Sequence, residues 1–448
     1  MRPYLDYRDP APSSPSMPSP KSLHLEGLTL KDLAGQTPVY VISLTACKDR
    51  AMAYQNALKS HFKNTKCYFA VKANPAPEII QTFLEMGLGF DIVSEGELDR
   101  VLGVSGTLAK DICFAGVGKT KSQIEKALRL NVGWLNVEHP EELHITLEKL
   151  MDSAYSTSTT QLAIRLNPCV EVATHPHLKT GALNSKFGIL RPQLLEMLEK
   201  WKLNNSPLFE TAQKRIRGIH VHVGSQLSEP HIYESVVKET LETCECLEKL
   251  GLEVRHLDFG GGLEVPFQGI PQDHSDIRLR VDTLAQYLVS SLPRFPILRE
   301  KFGESFDKVT ISIEPGRSLV ASSTVLVTQV LYTKSNDSEH HFAVVDAGMN
   351  DFPRPSLYGA KHEILPVQES SSSHQKQYIV CGPVCESGDV FDTKVALPEL
   401  RPGDLLAFLE AGAYCYSMAS QYNLRPLPVC LFVKDSQVVG KKSPVFPA

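Results

Sequence analysis

Long apolar runs are missing from this sequence. No stretch approaches the roughly 20 residues of a membrane-crossing helix, so no membrane is expected as a partner. A surplus of positive charge is missing too. The 46 Lys and Arg residues face 51 Asp and Glu, a net charge of −5, so nucleic acid is not an expected partner either. The ten cysteines lack metal-site spacing. Only Cys244/Cys246 and Cys381/Cys385 lie close together, and neither pair brings a second Cys or His pair. No structural metal is expected. The N-terminus lacks the apolar segment of a signal peptide, from which free thiols, a reducing compartment and a cytoplasmic location are expected. A complete P-loop is also absent. Gly116-Val117-Gly118-Lys119-Thr120 imitates its end, but the glycine required five residues before Gly118 is Cys113.

What is present is a globular profile, 42% hydrophobic and 22% charged over 448 residues, long enough for two domains. Residues 8–20 are rich in Pro and Ser, and residues 1–24 are expected to be a disordered tail. Thr37–Ile42 reads as a strand, followed by a helical pattern over about 48–64. From Cys67 the chain alternates apolar runs with amphipathic patterns. The runs are Cys67–Val71, Gly89–Val93, Ile112–Ala115, Trp134–Val137, Leu162–Leu166, Ile219–Val223, Val254–Phe259 and Val309–Ile313. Eight such repeats in about 250 residues predict an α/β fold, a TIM-like (β/α)8 barrel over residues 46–320. Past Val320 the texture is β-rich with Pro/Gly turns. A C-terminal all-β domain, a barrel or sandwich, is expected over 321–448. The strand segment 25–45 is expected to join it.

The stretch Cys67–Pro75 organises the barrel. A short apolar run leads into Lys72, and Asn74-Pro75 ends the strand. A lysine at a buried strand tip is either a nucleophilic amine suited to Schiff-base chemistry or a side chain that snorkels to water. Other polar residues also fall at strand ends: Asp91, Gly116–Gly118, Arg165, His220 to Ser225, Asp258 to Gly262, and Glu314-Pro315-Gly316-Arg317. In a barrel these meet at one rim, the catalytic face. Gly260–Gly262 and the turn at Gly316-Arg317-Ser318 suit backbone approach to a phosphate, with Ser225 adding a hydroxyl; a tight turn is the plainer reading of the glycines. Glu314 suits a protonated pyridine nitrogen, or pairs with Arg317 or Arg165. His222 lies against an aromatic ring or is a core histidine. Asp91 pairs with Lys72 or simply ends its strand. Ser94 and Glu97 form a capping box.

The whole pattern resembles the diaminopimelate decarboxylases, pyridoxal-phosphate enzymes grouped with ornithine decarboxylase and alanine racemase. The resemblance runs from about Thr37 to Pro428. It rests on Tyr-Phe-Ala-Val-Lys-Ala-Asn (68–74), His-Val-Gly-Ser-Gln (222–226), Gly-Gly-Gly (260–262), Glu-Pro-Gly-Arg-Ser (314–318), Asp-Ala-Gly-Met-Asn-Asp (346–351), Arg-Pro-Ser-Leu-Tyr-Gly-Ala (354–360), Cys-Glu-Ser-Gly-Asp (385–389) and Gly-Ala-Tyr (412–414). It implies pyridoxal 5'-phosphate as cofactor, attached to Lys72, stacked by His222 and paired at its ring nitrogen with Glu314. Asp91, Arg165, Ser225, Gly260, Gly261, Gly262, Gly316, Arg317 and Tyr414 are implied as further cofactor-binding residues. Arg317, Arg354, Tyr358, Glu386 and Tyr414 are implied for the substrate, and Cys385 as proton donor. It also implies a homodimer, with Cys385 and Glu386 entering the neighbouring subunit's site. The implied reaction converts meso-2,6-diaminopimelate to L-lysine and carbon dioxide, the last step of lysine biosynthesis.

The sequence departs from the family at Lys361, at Cys415-Tyr416 and at Phe391–Lys394. Rival readings are a decarboxylase of another amino acid, such as an ornithine-like or natural-product substrate, a racemase, or a non-catalytic homologue. Arg354 and Glu386 favour a substrate with a second carboxylate and a second ammonium. Cys385 stands where a racemase commonly uses a tyrosine.

Overall fold

The computed structural model describes residues 4–9, 21–169, 185–225, 232–265, 273–303, 306–370 and 374–443. They fall into two compact units. One comprises Arg50–Glu264 with His274–Gly316; the other comprises Met1–Asp49, Val265–Asp273 and Arg317–Ala448.

The first unit is a closed eight-stranded barrel. Its strands are β1 (Thr65–Ala70), β2 (Gly89–Ile92), β3 (Ile112–Phe114), β4 (Trp134–Val137), β5 (Gln161–Leu166), β6 (Ile216–Val221), β7 (His256–Asp258) and β8 (Thr310–Ile313). Each pairs in parallel with its neighbours in sequence, and β8 closes on β1. All eight lie at the expected apolar runs. Covered by helices outside and filled inside, a barrel strand has no wet face, which is why these runs show little alternation.

β1 shows how the sequence builds one repeat. Its last four residues are buried, and Val71–Ala73 then make a single 3₁₀ turn. The next helix, Pro77–Glu85, has proline in its first turn and buries Ile79, Ile80 and Phe83. Phe83 meets Phe69 of β1 with ring centroids 4.6 Å apart; each such burial is worth about 1.5–3 kcal/mol. Ser94 caps the helix Glu95–Leu102 by accepting from the Glu97 N–H, while Glu97 reaches back to the Val93 N–H. Thr120 and Gln123 form a capping box on Lys121–Leu130. Two helices lie beyond those expected, Pro207–Arg215 and Pro296–Phe302. Each is short, opens on proline and buries only two side chains, too few to leave a periodic signal.

The second unit contains a nine-stranded sheet. Val39–Ser43 pairs antiparallel with Thr324–Ser335 and parallel with Val429–Lys434, so the N-terminal strand does enter the β domain. Ile364–Pro366, Val390–Leu397 and Gln437–Lys442 are strands that the sequence reading leaves out. Within the segment 1–24, expected to be a disordered tail, residues 4–9 and 21–24 are described and differ from that expectation. Leu5–Arg8 pairs antiparallel with Ser22–Leu25, which pairs with Leu28–Thr29. Leu5, Leu23 and Leu25 bury in one cluster with Val39, Val41 and Val325, and this burial offsets the ordering cost. Residues 10–20, the Pro/Ser stretch proper, lie outside the described residues. Among the described residues no helix is long and apolar enough to cross a membrane.

Candidate active site

Inward-facing positions recur every second residue along a barrel strand. Near the C-terminal ends of these strands, the buried side chains are polar: Asp91, Asn136, Glu138, Arg165, His220, Asp258, Ser312 and Glu314. They surround or lie beneath a cavity of about 480 Å³ lined by Lys72, Asp91, Gly116–Gly118, Arg165, His222 and Glu314, among others. That volume is typical of a small-molecule site. Of the strand-end residues read from the sequence, Lys72, Asp91, Gly116–Gly118, Arg165, His220, His222 and Glu314 line this cavity.

Lys72 sits in the turn after β1, not in the strand, and its side chain is 38% exposed. It reaches the cavity, and its Nζ donates to Asp91 Oδ2 at 3.0 Å. Asp91 Oδ1 is buried without a hydrogen-bond partner among the described residues. Gly316 lies beside this turn: a Cβ there would come within 3.0 Å of the Ala70 Cβ and 3.2 Å of the Ala73 Cβ. Arg165 pairs with Glu138 at 2.8 Å and lies 4.6 Å over the Phe187 ring. Burial pushes Glu138 up, but Arg165, Lys119 and His220 outweigh it and hold the carboxyl below its ordinary range. Lys119 turns inward to Glu142, at 2.9 Å, and to the Gly116 and Asn136 carbonyls.

Glu314 is fixed from two sides. Asn136 Nδ2 donates to Oε1 at 3.4 Å, and His220 Nε2 lies 2.9 Å from Oε2. Burial, then the charge of Asp91, raises the Glu314 carboxyl well above its ordinary value. Burial, then Arg165 and Lys72, keeps His222 well below the ordinary imidazole value, hence neutral. The Gly261 N–H donates to His222 Nδ1 at 3.1 Å. A Cβ on Gly260 would fall 2.6 Å from that nitrogen, and one on Gly261 2.3 Å from the Glu314 carbonyl oxygen. Only bare backbone fits this run. Ser225 follows, half-buried, at the end of a described stretch.

The residues therefore fit the pyridoxal phosphate implied by the family resemblance. They offer a lysine amine, a buried carboxyl group for a ring nitrogen and an unpartnered Asp91 oxygen.

In the second unit, Arg317 Cζ lies 4.7 Å over the Tyr414 ring. Burial, and Arg354 beside it, pull Arg317 down to about 10. Two arginines held together this way invite an anion. Arg354 is buried, and its Nε has no hydrogen-bond partner among the described residues. Tyr414 adopts a left-handed backbone, φ 57°, rare for a bulky residue and commonest at functional sites. Tyr358 ends the short helix Arg354–Tyr358. Ser356 Oγ in that helix donates to the Gly388 carbonyl at 2.7 Å, tying it to the turn that carries Cys385 and Glu386. Cys385 and Glu386 are exposed. Asp389 anchors their turn by accepting from the Val384 and Met349 N–H groups at 2.7 and 2.6 Å.

Asn136 and Glu138 are the contributors that the sequence reading misses, although each is a polar residue at an inward position of an otherwise apolar strand. His220 and Asp389 lie in stretches that the reading names, without a role of their own.

The family described as "Pyridoxal-dependent decarboxylase, pyridoxal binding domain" matches residues 48–321. A diaminopimelate decarboxylase of Aquifex aeolicus is 36% identical over 442 residues, covering 97% of this chain and 94% of the relative. One from Helicobacter pylori strain J99 is 37% identical over 403 residues, covering 90% and 92%. The crystal structure of the Helicobacter pylori enzyme complexed with L-lysine aligns with a TM-score of 0.77 at 34% identity, covering 92% of this chain and 96% of that one.

Proposed function

The chain belongs to the pyridoxal-dependent decarboxylase family, among the diaminopimelate decarboxylases, and from that premise we propose that it converts meso-2,6-diaminopimelate to L-lysine and carbon dioxide. The observation that carries the reading is Lys72, facing Asp91 in a cavity also lined by His222, Arg165 and Glu314. The L-lysine in the related crystal structure supports the choice of product.

Bound pyridoxal phosphate supplies an electron sink for the pair left behind when carbon dioxide departs. Lys72 is its attachment point, and the Glu314 carboxylate holds a proton at its ring nitrogen. His222 braces the ring, while Asp91 and Arg165 add polar contacts. Ser225, Gly260–Gly262, Gly316, Arg317 and Tyr414 hold the phosphate. Arg354 takes the substrate's remote carboxylate, with Arg317, Tyr358 and Tyr414 beside it in role, and Glu386 takes the remote ammonium. Cys385 Sγ returns a proton to the α-carbon.

Cys385 and Glu386 act in the partner's site of a homodimer; their exposure in this chain supports that division. None of the ten cysteines is in a disulfide, which supports a reducing, cytoplasmic setting.

The test is carbon dioxide release from a panel containing the diaminopimelate stereoisomers, ornithine and lysine. Fastest release from the meso isomer is expected. Faster release from ornithine or lysine overturns the substrate assignment.

A further inference from the structure

The barrel interior holds a buried imidazole to which the reaction above gives no part. His220 lies two residues before His222 and is 1% exposed. Across the sheet it is in register with Arg165 and Asp258. Its Nε2 lies 2.9 Å from Glu314 Oε2, while its Nδ1 is buried without a partner among the described residues.

The missing partner decides the tautomer. A buried N–H left unpaired is rarer and costlier than an unpaired lone pair. The proton therefore sits on Nε2, which donates to Glu314. Burial lowers the imidazole to about 4, so the donor is neutral. Asn136 Nδ2, also neutral, holds the other oxygen.

A cation in either place would consume the charge of Glu314. Two neutral donors orient the carboxyl group without neutralising it. Burial opposes its ionised form most, as do Asp91, Glu138 and Asp258, while Lys72 and Arg165 favour it, so a cationic ring nitrogen is the partner that draws out its charge.

We infer that His220 is the positioning residue of Glu314, a neutral hydrogen-bond donor that aims the carboxylate so that its charge stays committed to the cofactor's ring nitrogen. The inference rests on the function proposed above.

The test uses the full chain and two probes, pyridoxal phosphate and its analogue with CH in place of the ring nitrogen. Binding is read by quenching of the protein's tryptophan fluorescence. His220→Asn is too short to reach Glu314; His220→Gln keeps an amide donor within reach. Neither enlarges the side chain, so neither overpacks the barrel.

Wild type is expected to prefer pyridoxal phosphate to the analogue. His220→Asn should weaken pyridoxal phosphate binding about tenfold, the worth of a hydrogen bond to a charged group, with little change for the analogue. His220→Gln should recover most of the loss. Equal weakening of both probes, or unchanged pyridoxal phosphate affinity in His220→Asn, overturns the positioning role and leaves the proposed function standing. Wild type that binds neither probe overturns the proposed function and this inference with it.

Discussion

Asp258→Asn should remove part of the pH dependence of stability. Asp258 is buried beneath the cavity, its Oδ1 accepting from the Gly260 N–H at 2.8 Å and its Oδ2 from Ser312 Oγ at 2.7 Å. Burial first, then the charge of Glu314, raises its carboxyl from 3.8 to about 7. In the unfolded chain it titrates at about 3.9. Between these values the folded protein keeps a proton that the unfolded chain has lost. The contribution is therefore fully present below about pH 4 and is lost as pH rises through about 7.

Moving from about pH 5 to about pH 8 crosses roughly two pKa units of this window, on the order of 2–3 kcal/mol. Asparagine, nearly isosteric, keeps the Gly260 contact and has no proton to lose. His220 and His256, lowered by burial to about 4 and about 3, act oppositely, losing stability as pH falls from about 6.5. His256 is common to both proteins and cancels in the difference; His220 is raised by the Asp258 charge, so its share cancels only in part. The assay is urea unfolding by circular dichroism at both pH values, with saturating pyridoxal phosphate. Wild type should lose on the order of 2–3 kcal/mol more than the variant between them. Equal losses would refute the argument that Asp258 is a proton-holding buried acid.

Other substitutions probe the rest of the site. Gly261→Ala places a Cβ 2.3 Å from the Glu314 carbonyl oxygen, a backbone clash worth about 1–3 kcal/mol; a lowered Tm and cofactor lost on dialysis are expected, and wild-type values for both would contradict the glycine argument. Cys385→Ala should retain visible absorbance from bound cofactor yet lose most turnover, and unchanged carbon dioxide release would remove the proton-donor role. Arg354→Gln should lower kcat/KM for diaminopimelate by about 10²-fold, from lost charged hydrogen bonds; an unchanged value would place the remote carboxylate elsewhere.

Much of the barrel was legible because each strand is a short apolar run ending on a polar residue. Lys72, Asp91, Arg165, His222 and Glu314 could be picked out as strand-end residues, and the barrel then brings them to one cavity. His220 could be picked out as a strand-end residue too, but the roles of His220 and Asn136 were not legible. Their contacts with Glu314 cross the interior between β4, β6 and β8, and sequence spacing gives no measure of that distance. Asn136 within Trp-Leu-Asn-Val reads as an ordinary strand residue. Lys72 proved half-exposed and not deeply desolvated, because the chain leaves the strand at Ala70 and turns. The N-terminal strands were hidden by composition. The Pro/Ser stretch separates Leu5 from Leu23 and Leu25, so their shared burial appears only once the β domain is assembled.

The account turns on the Lys72 amine. Borohydride reduction of the cofactor-loaded protein, followed by peptide mapping, locates the attachment directly. The account predicts one pyridoxyl group per chain, on Lys72, with activity lost in step with labelling and no label in Lys72→Ala. A label on another lysine, or full activity after complete reduction, would contradict it.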